Sequence, residues 1–197
     1  MTKHQLVLDV AGVLITNMSP LFWNEIAELS GASNNAFKSM FNLEIRELFW
    51  SGILSEEVFW QWLNEKSSAI EIPHARTVLF KHLQTLPAFE HIPKWSQHAD
   101  VHLLSNHREE WLLPVLRPIV PYLKSMTISS VVGCCKPDAA IYQVVNSKLE
   151  PNIQVIFIDD QEKNLKVPQD LNWSTIIADQ EGKWIERIQY ILENNQA

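Results

Sequence analysis

Three short apolar runs, each closing on polar residues, constrain the fold of this chain more than anything else in it. Leu6-Val7-Leu8 leads into Asp9-Val10-Ala11-Gly12-Val13-Leu14, Leu103-Leu104 into Ser105-Asn106, and Ile156-Phe157-Ile158 into Asp159-Asp160. Unbroken aliphatic runs of this length read as strands buried on both faces, the habit of parallel sheets. A fourth piece, Cys135-Lys136-Pro137-Asp138, follows a weaker strand-type stretch from Ser125 to Val131. In open α/β sheets, ligands bind beyond the carboxyl ends of the strands. One carboxylate, one hydroxyl, one amine and a carboxylate pair are therefore predicted to meet at one sheet edge. Such a set suits a metal ion and a phosphate.

Between the first strand and the rest lies a long helical stretch. Leu21 to Leu29, Asn34 to Arg46 and Ser55 to Lys66 each place apolar residues at amphipathic-helix spacing. Ser55 followed by Glu56 and Glu57 reads as an N-cap with an acidic first turn. Pro73 opens a further helix through Leu83. After Pro87 strand and helix alternate. Val101 to Leu104, Ser125 to Val131, Val155 to Ile158 and Ser174 to Ala178 read as strands. Arg108 to Leu116, Asp138 to Lys148, Glu162 to Leu171 (shortened or kinked by Pro168) and Gly182 to Glu193 read as helices. Such alternation predicts an α/β fold with a parallel sheet covered on both faces.

The chain has 197 residues, enough for one domain with an insertion. Its five glycines are too few for a sandwich built on many tight turns. A net charge of −7 argues against nucleic acid as a partner. No apolar stretch reaches the ~18 residues of a membrane span, and the N-terminal residues show no secretory signal. Cys134 and Cys135 are neighbours, so a bridge between them would be strained and close no useful loop. A reducing, cytoplasmic setting is expected. Nothing in the sequence fixes the oligomeric state.

Taken in order, the four pieces resemble the motifs of the haloacid dehalogenase superfamily of phosphatases and related hydrolases. The resemblance covers nearly the whole chain. It implies a Rossmann-like core at 1–14 and 86–197 and an inserted helical cap at 15–85. The tract Glu47-Leu48-Phe49-Trp50-Ser51-Gly52-Ile53-Leu54-Ser55-Glu56-Glu57-Val58-Phe59-Trp60 resembles the branch of glucose 1-phosphate phosphatases and the phosphatase domain of soluble epoxide hydrolase. By this resemblance Asp9 is the nucleophile that forms an aspartyl-phosphate from a small phosphorylated substrate. Asp160, Asp9 and the backbone carbonyl of Ala11 hold Mg²⁺. Ser105 and the backbone amide of Asn106 bind phosphate oxygens, and Lys136 neutralises the transferring group. Asp159 either orients Lys136 or assists the metal.

One expected group is missing. Phosphatases of the superfamily carry a second aspartate two positions after the nucleophile, where this chain has Ala11. General acid–base catalysis is worth roughly 10²–10⁴-fold. Three readings follow. The chain hydrolyses phosphates whose leaving groups need little protonation, with His107, Glu44 or Glu47 as candidate helpers. Or it cleaves a C–P bond as phosphonoacetaldehyde hydrolases do, for which Lys38 is the available cap lysine. Or it is a weak or inactive relative that binds a phosphorylated ligand, or a protein partner through cap tryptophans such as Trp23, Trp50, Trp60 and Trp62.

Overall fold

A computed structural model describes residues 3–33 and 35–194. Strand β1 (His4–Leu8) is followed by five helices before the next strand: α1 (Leu21–Ser30), α2 (Ala36–Glu44), α3 (Arg46–Trp50), α4 (Glu56–Lys66) and α5 (Ile72–Lys81). A 3-10 turn at Pro87–His91 and α6 (Ile92–His98) lead into β2 (Ala99–Ser105). Then come α7 (Glu109–Leu116), β3 (Leu123–Ile128), α8 (Ser129–Val132), α9 (Ala139–Asn146), β4 (Val155–Asp159), α10 (Lys166–Asp170), β5 (Ser174–Ile177) and α11 (Lys183–Asn194). The five strands form one parallel sheet in the order β3-β2-β1-β4-β5.

Alternation along the central strands divides the core into two faces. Leu6, Leu8, Leu103, Ile156 and Ile158 face one apolar cluster, and Val7, Leu104, Val155 and Phe157 face the other. Helix α9, through Ile141, Tyr142 and Val145, covers the second face with Leu165 and Trp173. Trp95, Trp111, Trp184 and the inserted helices cover the first. The central strands are thus buried on both sides, as their continuous apolar runs require. The buried imidazole inside the sheet is satisfied locally. His102 on β2 donates through Nε2 to Gln5 Oε1 at 3.0 Å and bonds Ser125 Oγ through Nδ1 at 2.8 Å.

The insertion leaves and rejoins the core through two paired linkers. Ile15 lies antiparallel to Thr85, Thr16 N–H donates to the Gln84 carbonyl at 2.8 Å, and Leu86 N–H donates to the Leu14 carbonyl at 2.8 Å. A second attachment lies far along the sequence. The buried Arg108 guanidinium donates to the carbonyls of Phe49 (3.0 Å) and Leu54 (2.8 Å). Ser129 Oγ donates to the Trp50 carbonyl at 2.6 Å, and Trp111 Nε1 to Glu56 at 2.9 Å. Gly52, at φ +79°, rests against the Ser130 backbone with no room for a β-carbon.

Several boundaries differ from the sequence expectation. The helix expected from Asn34 to Arg46 is two helices broken at Ile45, whose φ of −134° is not helical; Asn34 itself lies outside the described residues. The strand expected from Ser125 to Val131 starts at Leu123, ends at Ile128 and gives way to α8. The expected helix at Glu162–Leu171 is a 3-10 turn followed by the short α10. The helical segment Pro87–His98 was not expected at all. Ser55 does cap α4, accepting from Val58 N–H at 3.4 Å.

Candidate active site

Register brings the polar strand ends together. Leu8 pairs with Leu103 on one side and Ile158 on the other. Asp9 and Asp159, one residue further on, and Ser105, two residues further on, therefore lie at one carboxyl edge of the sheet. Asp9 N–H still donates to the Ile158 carbonyl at 2.9 Å, so the backbone there is fixed by the ladder.

Lys136 sits between two of the carboxylates. Its Nζ is 2.9 Å from Asp9 Oδ2 and 2.6 Å from Asp159 Oδ2, and all three residues are buried. Burial opposes the lysine charge, but Asp9 and Asp159 outweigh it and hold the Lys136 pKa above the ordinary value. Asp9 responds in the opposite sense: burial pushes its pKa up to about 7, against the pull of Lys136 and with the push of Asp159. Asp159 is fully engaged by protein. Its other oxygen accepts from Gln161 N–H at 2.9 Å and Asn164 Nδ2 at 2.9 Å. Asp160 is only partly buried and accepts from Asn17 Nδ2 at 3.2 Å.

Oxygens of Asp9, Asp159 and Asp160 all lie within 4.8 Å of one another. Asp159 has its oxygens committed to Lys136, Gln161 and Asn164, and Asp9 accepts from Val10 N–H through Oδ1 at 2.6 Å and meets Lys136 through Oδ2, so Asp160, with bonds only from Asn17 and Gln161, is the least engaged of the three. Gly12 makes the approach of the 10–15 loop possible. It has φ +88°, and a β-carbon there would overlap the Asp160 carboxylate and come within 2.8 Å of Asn17 Nδ2. A donor set made only of oxygens fits a small hard dication.

Three buried polar atoms lack partners among the described residues: Ser105 Oγ, His107 Nε2 and Asn164 Oδ1. A buried hydroxyl without a partner is costly; Ser105 lies behind the residues that line the cavity described below. For His107 the backbone fixes the tautomer. Its Nδ1 accepts from Arg108 N–H at 2.9 Å, so the ring proton belongs on Nε2, which is a neutral donor. Burial lowers the His107 pKa to about 4. Asn106 has a role that the sequence did not disclose: its side-chain amide donates to the Lys136 carbonyl at 2.8 Å and accepts from Lys136 N–H at 2.7 Å. This pair of hydrogen bonds fixes the lysine backbone opposite the end of β2.

A cavity of about 520 Å³ opens over Asp9, Ala11, Asn106, His107 and Lys136. Its outer wall comes from the insertion: Trp23, Lys38, Phe41, Asn42, Arg46 and Trp50. Gln161, Lys163 and Asn164 close it from the β4 side. Glu44 and Glu47, considered above as acids, are not on this wall. Glu44 instead accepts from Trp62 Nε1 at 2.8 Å and pairs with Lys66. Lys38, which had nothing in its sequence context to mark it, is on the wall. Arg46 and Lys163 were missed, since only the packing of the insertion brings them to Asp9. Of the tryptophans considered for a partner surface, Trp23, Trp60 and Trp62 are core residues.

No protein-family profile matches the chain and no curated protein matches it. Solved structures do. A HAD family enzyme of Bacteroides thetaiotaomicron, solved with magnesium and inorganic phosphate, superposes with a TM-score of 0.79 at 20% identity, covering 94% of this chain and 99% of that one. A HAD-like family hydrolase of Porphyromonas gingivalis gives 0.80 at 21% identity, over 99% and 100% of the two chains. A dehalogenase gives 0.63 at 22% identity, over 92% and 87%. At such identities the likeness is one of fold.

Proposed function

We propose that this chain, which has the fold of the haloacid dehalogenase superfamily, is a Mg²⁺-dependent hydrolase of small phosphomonoesters acting through an aspartyl-phosphate on Asp9. The observation that carries the proposal is the Asp9–Lys136 pair on the cavity wall, with the fully buried Asp159 holding the same lysine at 2.6 Å. The magnesium and phosphate held by the Bacteroides enzyme support it. Residues 1–14 and 86–197 form the core in this reading, and 15–85 the cap. The free thiols Cys134 and Cys135 agree with a reducing cytoplasm.

Asp9, Asp160 and the carbonyl of Ala11 would hold Mg²⁺, which supplies charge neutralisation to the phosphoryl oxygens and keeps Asp9 ionised. The other roles belong to the protein. An Asp9 carboxylate oxygen attacks phosphorus in line with the ester oxygen, whose bond to phosphorus breaks. Lys136 carries positive charge to the equatorial oxygens, held in place by Asp159 and by the Asn106 amide. Ser105 Oγ and the Asn106 backbone amide take the remaining oxygens. Water then cleaves the acyl phosphate and returns Asp9. Charge placement of this kind supplies most of the rate in phosphoryl transfer.

The leaving group must depart without a protein acid. Ala11 has no proton to give, Glu44 and Glu47 are elsewhere, and His107 is neutral above about pH 5 given its pKa of about 4. Its Nε2–H can donate a hydrogen bond but is no match for an acid. The substrates best served are those with good leaving groups, such as acyl or anomeric phosphates. Phosphate release from such a panel, with Mg²⁺ or with chelator, tests the proposal. Release should need metal, fall at least ~10³-fold in Asp9→Asn, and favour acyl and anomeric phosphates over alkyl ones. Release undiminished in Asp9→Asn would end it. Lys38 on the cavity wall supports a second reading, C–P cleavage through a Schiff base, for which borohydride would trap substrate on that lysine.

A further inference from the structure

The hydrolytic chemistry uses one lysine, yet four basic side chains line the cavity. Lys136 is occupied by Asp9 and Asp159. Lys38 from α2, Arg46 at the start of α3 and Lys163 from the 3-10 turn after β4 reach the same space from three separate elements. Among the described residues none of the three has a carboxylate at ion-pair distance. Eight of the 16 basic side chains have a carboxylate at ion-pair distance, Lys66 with Glu44, Lys81 with Glu25 and Lys94 with Glu193 among them. Lys38, Arg46 and Lys163 belong to the other half; what sets them apart is that they converge on one cavity. Asp9, already engaged by Lys136, is the one acidic residue on the cavity wall.

Lys38 is half-buried beside the aromatic wall of Trp23 and Phe41. A cation partly withdrawn from water without a partner loses hydration for nothing, unless a ligand anion supplies the return. Arg46 and Lys163 are exposed on the same wall, so they attract an anion through solvent, within the range of salt screening. The reacting phosphoryl group does not need them, since Lys136, Ser105 and Asn106 already address it.

We infer that the cap side of this cavity is a second anion subsite, and that the substrate is a small phosphomonoester carrying a second anionic group, a carboxylate or another phosphate. This rests on the phosphomonoester reading for the first group and adds the distal one. The cavity, about 520 Å³, accommodates a ligand of this size beside the reacting phosphate.

Binding of non-hydrolysable probes tests the subsite without turnover. Propylphosphonate, 2-carboxyethylphosphonate and ethane-1,2-bisphosphonate would be titrated calorimetrically with Mg²⁺ present. At least one of the two probes with a distal anion should bind about tenfold or more tightly than propylphosphonate, a gain of about 1.4 kcal/mol. Which one gains shows whether carboxylate or phosphate is preferred. In the Lys38→Gln, Arg46→Gln, Lys163→Gln triple variant the affinity ratio should fall towards one. In the wild-type protein, raising NaCl from 50 to 500 mM should also compress it. Equal affinities for all three probes would overturn the inference, as would a ratio that survives both the triple variant and the salt. Failure of every phosphomonoester to turn over would sink the hydrolysis and leave this result standing.

Discussion

Replacing Lys136 by Met isolates what the buried lysine does. Methionine fills most of the space but leaves Asp9 and Asp159, both under 5% exposed, without the charge 2.9 and 2.6 Å away. Breaking a buried pair from one side costs about 3–5 kcal/mol. Asp159 retains its bonds from Gln161 N–H and Asn164 Nδ2, so the strain falls chiefly on Asp9. Its pKa is already about 7 with the lysine present, and removal of the lysine raises it further. The variant can then relieve itself by taking up a proton that the wild type does not hold above pH 7. The deficit should therefore be largest near pH 8.5 and shrink by about 1.4 kcal/mol for each pH unit down to 7. Urea unfolding in chelator at pH 7.0, 7.75 and 8.5 gives the three values, and Lys136→Met with Asp9→Asn should recover more than half the loss. A deficit below ~1 kcal/mol at pH 8.5, or one flat across the series, would show that the lysine charge is not what holds these carboxylates.

In metal-free protein, Asp9 is a liability to stability at high pH. Its folded pKa of about 7 lies above the ordinary 3.8, so its stabilising contribution is complete below about pH 4 and is lost as pH rises through 7. Asp9→Asn should raise unfolding free energy at pH 8 in chelator by roughly 2–4 kcal/mol while abolishing phosphate release; an unchanged stability would contradict the burial account. His102 works with the opposite sign. Burial lowers its pKa to about 4, so the stability it contributes is present above about 6.5 and is lost as pH falls towards 4. The cost of His102→Gln should accordingly be about 2 kcal/mol smaller at pH 5 than at pH 7, and a cost equal at both would refute a neutral buried ring. Gly12→Ala should weaken Mg²⁺ binding by more than about tenfold, because the left-handed φ and the overlap with Asp160 act together. Calorimetry giving wild-type affinity would mean that the 10–15 loop has room it does not show.

How far the sequence could be read depended on what each position answers to. β1, β2 and β4 were legible because strands buried on both faces have little freedom in composition, and their polar ends marked the sheet edge. At the two ends of the helical stretch after β1 the structure pairs Ile15 with Thr85. The segment Pro87–His98 was not legible, since its prolines read as breaks; both occupy first-turn positions where a missing N–H is harmless. Ile45 gave no sign of a helix break, because its non-helical φ comes from packing. At the site, neighbouring Asp159 and Asp160 point to different partners, which no spacing in the sequence discloses. Lys38, Arg46 and Lys163 could not be linked to Asp9, as their approach depends on how five short helices settle on the sheet.

The insertion is fastened at two separated places, the 14–16/84–86 pair and the Arg108–Ser129 contacts to residues 49–54. A flap held along one edge can swing; one held along two must first let go of the second. Opening by rotation about the linkers would strip two carbonyls from a buried guanidinium and withdraw Phe49 from the face of that same Arg108, 5.0 Å away. The first pair would act as a hinge and the second as a latch. Exchange of ligand and solvent would then be timed by the latch, and small molecules able to pass between the side chains at the mouth would be admitted far faster than large ones.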